Sequence, residues 1–136
     1  MMSPKKIAYL LSLVAALGIG AVHAGELVVI GNTGASALTK DQVSDIYQGK
    51  SQAFTPVDLP ESAAARADFY KEIAGKDLAQ MKTLWAKLAF TGKAQPPKEM
   101  ADAAAVKKAV AADPKAIGYI DKSAVDGSVK VVHSFE

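Results

Sequence analysis

Short β-branched runs alternate with helix-forming segments in residues 26–136, and this alternation restricts the fold more than any other feature of the sequence. The run Glu26–Ile30 is rich in Val and Ile and stops at a glycine, which is typical of a buried strand. Strands separated by helices form a sheet that those helices cover. The sequence therefore predicts an α/β domain with a mixed sheet, whose further strands are FTPVDL (54–59), AIGYI (116–120) and VKVV (129–132).

Helix starts are marked by side chains that can accept a backbone hydrogen bond. Thr39 with Gln42 and Asp77 with Gln80 have the spacing of a capping box, in which each residue bonds the other's backbone amide. Asp102 predicts the start of a later helix. Beyond Asp77 an apolar stripe predicts the most deeply buried helix, formed by Leu78, Met81, Leu84, Trp85 and Leu88.

The first 24 residues have the pattern of a secretory signal peptide. Lys5 and Lys6 precede a long apolar run, and Val22-His23-Ala24 offers small residues at the positions that a signal peptidase reads. A membrane anchor is the alternative, but the apolar run is short against the about 20 residues that a spanning helix needs. We expect cleavage after Ala24, which leaves residues 25–136 as one exported domain.

Composition excludes several classes of function. The chain has 16 basic and 14 acidic residues, and two of the lysines lie in the predicted signal. A domain with balanced charge and no basic run gives no support for nucleic-acid binding. Cysteine is absent, which excludes disulfides and thiol chemistry.

Catalytic and metal-binding patterns are absent from the sequence of the predicted domain. Its single histidine, His133, stands close to the C-terminus, and no GxSxG turn accompanies it. One histidine and scattered carboxylates do not give the spacing of a metal site. We therefore expect a protein that is not an enzyme and that needs no metal or cofactor, with His133 as an ordinary strand-end residue.

The loop GNTGAS (31–36) has a composition suited to anion binding. Glycines let a backbone approach a ligand closely, and backbone amides can point at one spot together with the hydroxyls of Thr33 and Ser36. The same residues also form ordinary turns, so a plain connection between a strand and a helix remains open.

A second segment, LPESAAARADF (59–69), strengthens the prediction. Ser62 stands at a predicted helix start, where free amides and the helix dipole favour negative charge. Arg66 lies one turn further on and is the only arginine of the chain, against 15 lysines. We expect this guanidinium and the two helix starts to converge on one anion. The alternative is an ion pair of Arg66 with Glu61 or Glu72.

The sequence resembles small secreted proteins related to the phosphate-binding component of bacterial phosphate ABC transporters. The resemblance is carried by ELVVIGNTGAS, LTKDQVSDIYQGK, VDLPESAAARADFYKEIAG, LWAKLAFTGKAQPPKEM and DPKAIGYID, which follow the family's order. It implies a type II periplasmic-binding-protein fold, a periplasmic location and a phosphate held between helix N-termini. By position, the implied ligands are Asn32, Thr33 and the following small residues in the first loop, and Ser62 and Arg66 in the second.

Two departures from that family affect the expected function. Ala63, Ala64 and Ala65 replace a glycine-rich S-G-T stretch, so hydroxyl donors are lost. The predicted domain also has the size of one lobe, whereas full binders close two lobes on the ligand. We expect a phosphate or oxyanion binder that is weak unless it forms a homodimer or docks on a partner such as an ABC permease. The alternative is a secreted interaction protein that kept the fold and lost the ligand. An Arg66 side chain turned toward an acidic neighbour would favour this alternative.

Overall fold

The computed structural model describes residues 26–135, and the segment predicted as a signal peptide lies outside this range. Strands and helices alternate as the sequence predicts. In chain order they are β1 (Leu27–Gly31), α1 (Lys40–Tyr47), β2 (Thr55–Asp58), α2 (Ala64–Ala74), α3 (Leu78–Phe90), β3 (Lys98–Glu99), α4 (Ala103–Ala112), β4 (Ala116–Asp121), a 3₁₀ turn (Lys122–Ala124) and β5 (Lys130–Ser134).

The five strands form one mixed sheet in the order β3-β2-β4-β1-β5. Strand β1 runs antiparallel to both of its neighbours, β4 and β5. Strand β2 runs parallel to both of its neighbours, β3 and β4. The predicted α/β class with a mixed sheet is confirmed. The opposite directions of β1 and β2 decide where their following loops lie.

Helices cover both faces of the central strand β4. On one face Gly118 allows α4 to approach, since a Cβ there would lie 2.5 Å from Cγ1 of Val106. On the other face the ring of Tyr119 stacks on Phe69 of α2, with ring centroids 3.8 Å apart. This double coverage explains why residues 116–120 are all buried and read as a continuous apolar run.

The predicted capping boxes are confirmed by hydrogen bonds. Thr39 Oγ1 accepts from the amide of Gln42 at 3.1 Å, while Gln42 Oε1 accepts from the amide of Thr39 at 2.8 Å. Asp77 and Gln80 repeat this arrangement at the start of α3. Asp102 accepts from the amide of Ala105 and caps α4. Local sequence was sufficient here because both partners of each bond lie within one helical turn.

The prediction that α3 is the most deeply buried helix is wrong. Only Met81 and Trp85 of its stripe are buried, and its leucines are half-buried. Helix α3 lies outside the helix layer that touches the sheet, against α2 and the turn at Gly49. An amphipathic stripe predicts which side of a helix faces inward, but the layer that the helix occupies depends on the whole fold.

The sheet edge beside β2 also differs from expectation. The segment after Pro97, for which the sequence predicts no strand, forms the two-residue strand β3. Strand β2 is therefore second from the edge, although a proline such as Pro56 is usually confined to edge strands. Strand β3 pairs with Val57 and Asp58, beyond the proline, so Pro56 does not have to donate to it.

Within residues 26–135, each helix is either too short or too polar to cross a lipid bilayer.

Candidate functional site

The two segments expected to share one anion lie at opposite ends of the strands. Gly31 of β1 and Pro56 of β2 both stand opposite Ile117 of β4, but the two strands run in opposite directions. At about 3.3 Å per residue, the loop beginning at Asn32 and the segment beginning at Leu59 start about 13 Å apart along the strand direction. The expected convergence is therefore wrong for a single copy of this domain: Asn32, Thr33 and Ser36 lie at one end, and Ser62 and Arg66 at the other.

The loop after β1 is a turn that Asn32 closes. The Asn32 carbonyl accepts from the amide of Ala35 at 2.8 Å, and its side chain accepts from the amide of Gly34 at 3.3 Å. Two of the amides expected to hold an anion are thus already bonded within the loop. The hydroxyl-bearing residues Thr33 and Ser36 are both exposed.

The electrostatic surroundings of this loop do not favour an anion. The Asn32 side-chain amide donates to the carbonyl of Ala111 at 3.2 Å, in the last turn of α4. A helix C-terminus carries the negative end of the dipole. Lys130 donates its Nζ to the carbonyl of Ala35 at 2.7 Å, so this cation is already engaged by the loop backbone.

The start of α2 is different, because its first amides have no side-chain acceptor. Its N-cap is Ala63, and alanine cannot accept a capping hydrogen bond. In the described part of the chain, the amides of Ala64 and Ala65 donate to no protein acceptor. Ser62 precedes the cap on an exposed turn. This helix start presents free donors and the positive end of its dipole.

Arg66 projects from this first turn but is held by neighbouring oxygens. Its Nη1 donates to the carbonyl of Leu59 and to Oε2 of Glu99, both at 2.8 Å. Its Nε lies 3.8 Å from Oδ2 of Asp58, too far for a hydrogen bond. Burial alone would lower the pKa of Arg66, but the bond to Glu99 and the charge of Asp58 raise it above its ordinary value. The guanidinium is permanently charged and partly engaged.

The predicted alternative for Arg66 named the wrong acidic partners. Glu61 and Glu72 were expected from their closeness in sequence, whereas the observed partners are Asp58 and Glu99. Glu99 is 33 residues away and reaches Arg66 only because β3 pairs beside β2.

Beneath Arg66 lies a buried polar cluster that sequence reasoning missed. Asp58 is 1% exposed and accepts from the hydroxyl of Tyr70 at 2.5 Å, from the hydroxyl of Tyr119, and from the amide of Leu59 at 2.8 Å. Burial raises the pKa of Tyr70 and Tyr119, and the nearby Asp58 charge raises it further. Both phenols therefore stay protonated and donate to the carboxylate. An aspartate inside the apolar run VDL was the available signal.

A surface cleft of about 270 Å³ opens beside Arg66. One side is apolar, and the indole Nε1 of Trp85 is buried there without a protein partner among the described residues. Charged side chains border the rest. The lining residues are Glu61, Arg66, Lys82, Trp85, Ala86, Ala89, Pro96, Pro97 and Glu99. The cleft can accept a small ligand that combines an anionic group with some apolar surface.

His133 lies far from this cleft along the sheet, on the edge strand β5. Its Nδ1 is 3.2 Å from the carbonyl oxygen of Leu38, and its ring packs edge-on against Phe135. No group of three or more potential metal ligands occurs within residues 26–135.

No protein-family model matches the chain, and no curated protein matches its sequence. Solved structures do match its fold. An ABC-type phosphate transport receptor from Vibrio cholerae is 20% identical with a TM-score of 0.61, over 79% of this chain and 45% of the receptor. A protein assigned as a phosphate ABC transporter substrate-binding protein from Clostridium perfringens, solved with bound phosphate, is 21% identical with a TM-score of 0.61, over 79% and 44%.

PstS from Borrelia burgdorferi is 12% identical with a TM-score of 0.59, over 80% of this chain and 47% of that protein. The chain thus spans less than half the length of these three structures. The expected resemblance and fold class are confirmed: residues 26–135 have the α/β fold of phosphate ABC transporter substrate-binding proteins, as a single lobe of the type II periplasmic-binding kind.

Proposed function

We propose that this protein binds phosphate or a similar oxyanion without a covalent step, at the N-terminus of α2. The amides of Ala64 and Ala65, the hydroxyl of Ser62 and the guanidinium of Arg66 would supply the donors. The observation that carries the proposal is the uncapped start of α2 beside the only arginine of the chain. A fold shared with phosphate transport proteins, one of them solved with phosphate bound, supports it.

Binding at this place would be electrostatic and incompletely enclosed. Helix amides and a guanidinium fork suit the tetrahedral oxygens of phosphate, and the dipole adds attraction. Enclosure is what makes small-ligand sites tight, and this domain supplies one side of a cleft. We therefore expect weak binding by a single copy. Asn32, Thr33 and Ser36 would reach the same anion only from a second copy of the chain.

The cellular role that follows is uptake of the bound anion. We propose that residues 1–24 direct export, that residues 25–136 form the periplasmic domain, and that an ABC permease or a homodimer closes the open side. Burial of the bound anion by a partner would replace water around it and strengthen each hydrogen bond.

One observation favours a second candidate, a secreted interaction protein that has lost the ligand. Nη1 of Arg66 is already engaged by Glu99 and Leu59, and Ala63 to Ala65 provide no hydroxyl. On this second reading the Arg66–Glu99 pair would only fasten β3 to α2.

A phosphate titration of the purified exported protein separates the two candidates. We expect calorimetry and the amide NMR signals of Ala64 and Ala65 to report saturable phosphate binding, with no response to a neutral sugar. Arg66→Ala should abolish it, while Lys82→Ala, which removes a cation from the same cleft, should change the affinity less than about threefold. Arg66→Lys, which keeps the charge, controls for stability. A site with a Kd of about 1 mM would be mostly occupied at about 10 mM phosphate. Absence of binding at that concentration would favour the interaction protein.

A further inference from the structure

The two carboxylates near Arg66 are held very differently. Asp58 is 1% exposed and accepts three hydrogen bonds from fixed donors. The Glu99 side chain is 52% exposed, and its recorded hydrogen bond is the one from Arg66. Asp58 is therefore part of the interior, whereas the Glu99 carboxylate is open to solvent and can be replaced at Arg66 by an anion from solution.

The backbone of Glu99 is held by the sheet, whereas its side chain is exposed to solvent. Glu99 stands opposite Asp58 in the parallel pairing of β3 with β2, and the following amide, of Met100, donates to the carbonyl of Asp58 at 2.7 Å. A change of side-chain rotamer is then enough to withdraw the carboxylate from Arg66. No strand has to detach from the sheet.

Charge balance shows what such a withdrawal would do. With Glu99 in place, one guanidinium faces two carboxylates, Asp58 and Glu99. A phosphate dianion approaching Arg66 would meet this net negative charge and would find Nη1 occupied. With Glu99 turned away, the N–H of Nη1 that now bonds Glu99 would be free beside the cleft that both residues line.

We propose that the Glu99 carboxylate is an internal anion that occupies the ligand position beside Arg66, so that an external oxyanion binds as Glu99 leaves. The inference rests on the proposed function for its ligand and adds a residue that sets affinity and selectivity. The preferred ligands are singly charged carboxylates and oxyanions that are small enough to take the place of one carboxylate group. Glu99 lowers the affinity for a larger dianion.

The first test measures phosphate affinity in charge-neutral variants of the exported protein. Glu99→Gln should bind phosphate about tenfold more tightly than the wild type, because a competing charge-assisted hydrogen bond is removed. Glu61→Gln is the matched control, since Glu61 lines the same cleft without bonding Arg66 in the structure. Its affinity should change less than about twofold.

A second test does not depend on phosphate. Glu99→Ala removes the carboxylate and leaves space beside Arg66, so free formate should bind there and shift the NMR signal of the Arg66 side chain. Wild type should respond only at much higher formate concentrations, because formate must first displace the Glu99 carboxylate. Glu61→Ala should respond as weakly as wild type, and thermal melts confirm that each variant is folded.

The outcomes separate this inference from the proposed function. Formate binding to Glu99→Ala, with no phosphate binding to any variant, would support the role of Glu99 and refute phosphate as the ligand. Equal phosphate affinity in wild type and Glu99→Gln, lost in Arg66→Ala, would refute the role of Glu99 and leave the proposed function standing. Equal gains in Glu99→Gln and Glu61→Gln would also refute it, since general charge would then be the cause.

Discussion

The loop at residues 32–36 and the start of α2 lie at opposite ends of the sheet and use small polar residues in different ways. In the loop, Asn32 satisfies the amides of Gly34 and Ala35 and bonds the C-terminal turn of α4. At the start of α2, the amides of Ala64 and Ala65 have no acceptor among residues 26–135, and an arginine stands beside them. A glycine-rich composition thus marks a closed turn at one end, and an alanine-rich composition leaves open donors at the other.

The difference teaches that anion-binding capacity depends on unsatisfied donors and the local field. Small residues permit a backbone to approach a ligand, but they also permit it to bond itself. The dipole of α4 presents its negative end to the loop, whereas the dipole of α2 presents its positive end to Ser62 and Arg66. Four predictions test this contrast.

The largest expected effect concerns the buried cluster under Arg66. Asp58→Ala should lower the free energy of unfolding by about 3 kcal/mol, because two buried hydroxyls lose their shared acceptor and the Arg66 guanidinium loses a nearby opposite charge. Urea denaturation measures the loss. Asp126→Ala is the control, since Asp126 is an exposed carboxylate that bonds Ser128 and Lys107, and it should change stability little. A loss of stability as small as that of the control would mean that Asp58 does not stabilise the buried cluster under Arg66.

Alkaline pH should act on the same end of the molecule. The pKa values of Tyr47, Tyr70 and Tyr119 are raised by burial, so the folded state keeps protons that the unfolded chain releases above about pH 10. Stability is therefore fully present below pH 10 and falls above it, by about 1.4 kcal/mol per pH unit for each such tyrosine. Unfolding measured between pH 8 and 11 checks the slope. Tyr70→Phe should lower the slope by the contribution of one tyrosine, about 1.4 kcal/mol per pH unit. An unchanged slope would contradict the raised pKa of Tyr70.

The closed loop should matter for stability and not for ligand affinity. Asn32→Ala removes the side-chain bonds to Gly34 and Ala111, which should cost about 1 kcal/mol of unfolding free energy. Phosphate affinity should stay within about twofold of the wild type, because the loop lies at the other end of the strands. Denaturation and phosphate calorimetry on one preparation measure both. A strong loss of affinity would place the loop in the site, for example across a dimer.

The smallest effect compares one hydroxyl from each end. Ser62→Ala should weaken phosphate binding about fivefold, the value of a single hydrogen bond. Ser36→Ala removes the same group from the other exposed loop and should leave affinity unchanged. Both residues are exposed, so neither change should disturb folding. Equal effects of the two substitutions would remove the distinction between the two ends.

Local sequence predicted the elements whose signals lie within a few residues. The capping boxes at Thr39 and Asp77 and the cap at Asp102 are all observed. The fully buried run at residues 116–120 was correctly read as a strand. Each signal succeeded because the groups that bond or pack are neighbours in the chain.

The site was less predictable because its contacts join distant segments. Arg66 was correctly singled out, but its partner Glu99 comes from a two-residue strand too short to give a pattern. Ser62 was expected at a helix start, and it lies one residue before the N-cap, Ala63. The assignments of Asn32, Thr33, Ser36, Ser62 and Arg66 as ligands remain predictions.

The sequence alone determined the alternation of strands and helices, because periodicity and capping are properties of short segments. Only the tertiary structure decided that β1 and β2 run in opposite directions, which separates the two small-residue loops. It also decided that β3 brings Glu99 to Arg66 and that Asp58 is buried beneath both. The physical reason is that strand direction and pairing are set by packing of the whole core, to which each segment contributes only a part.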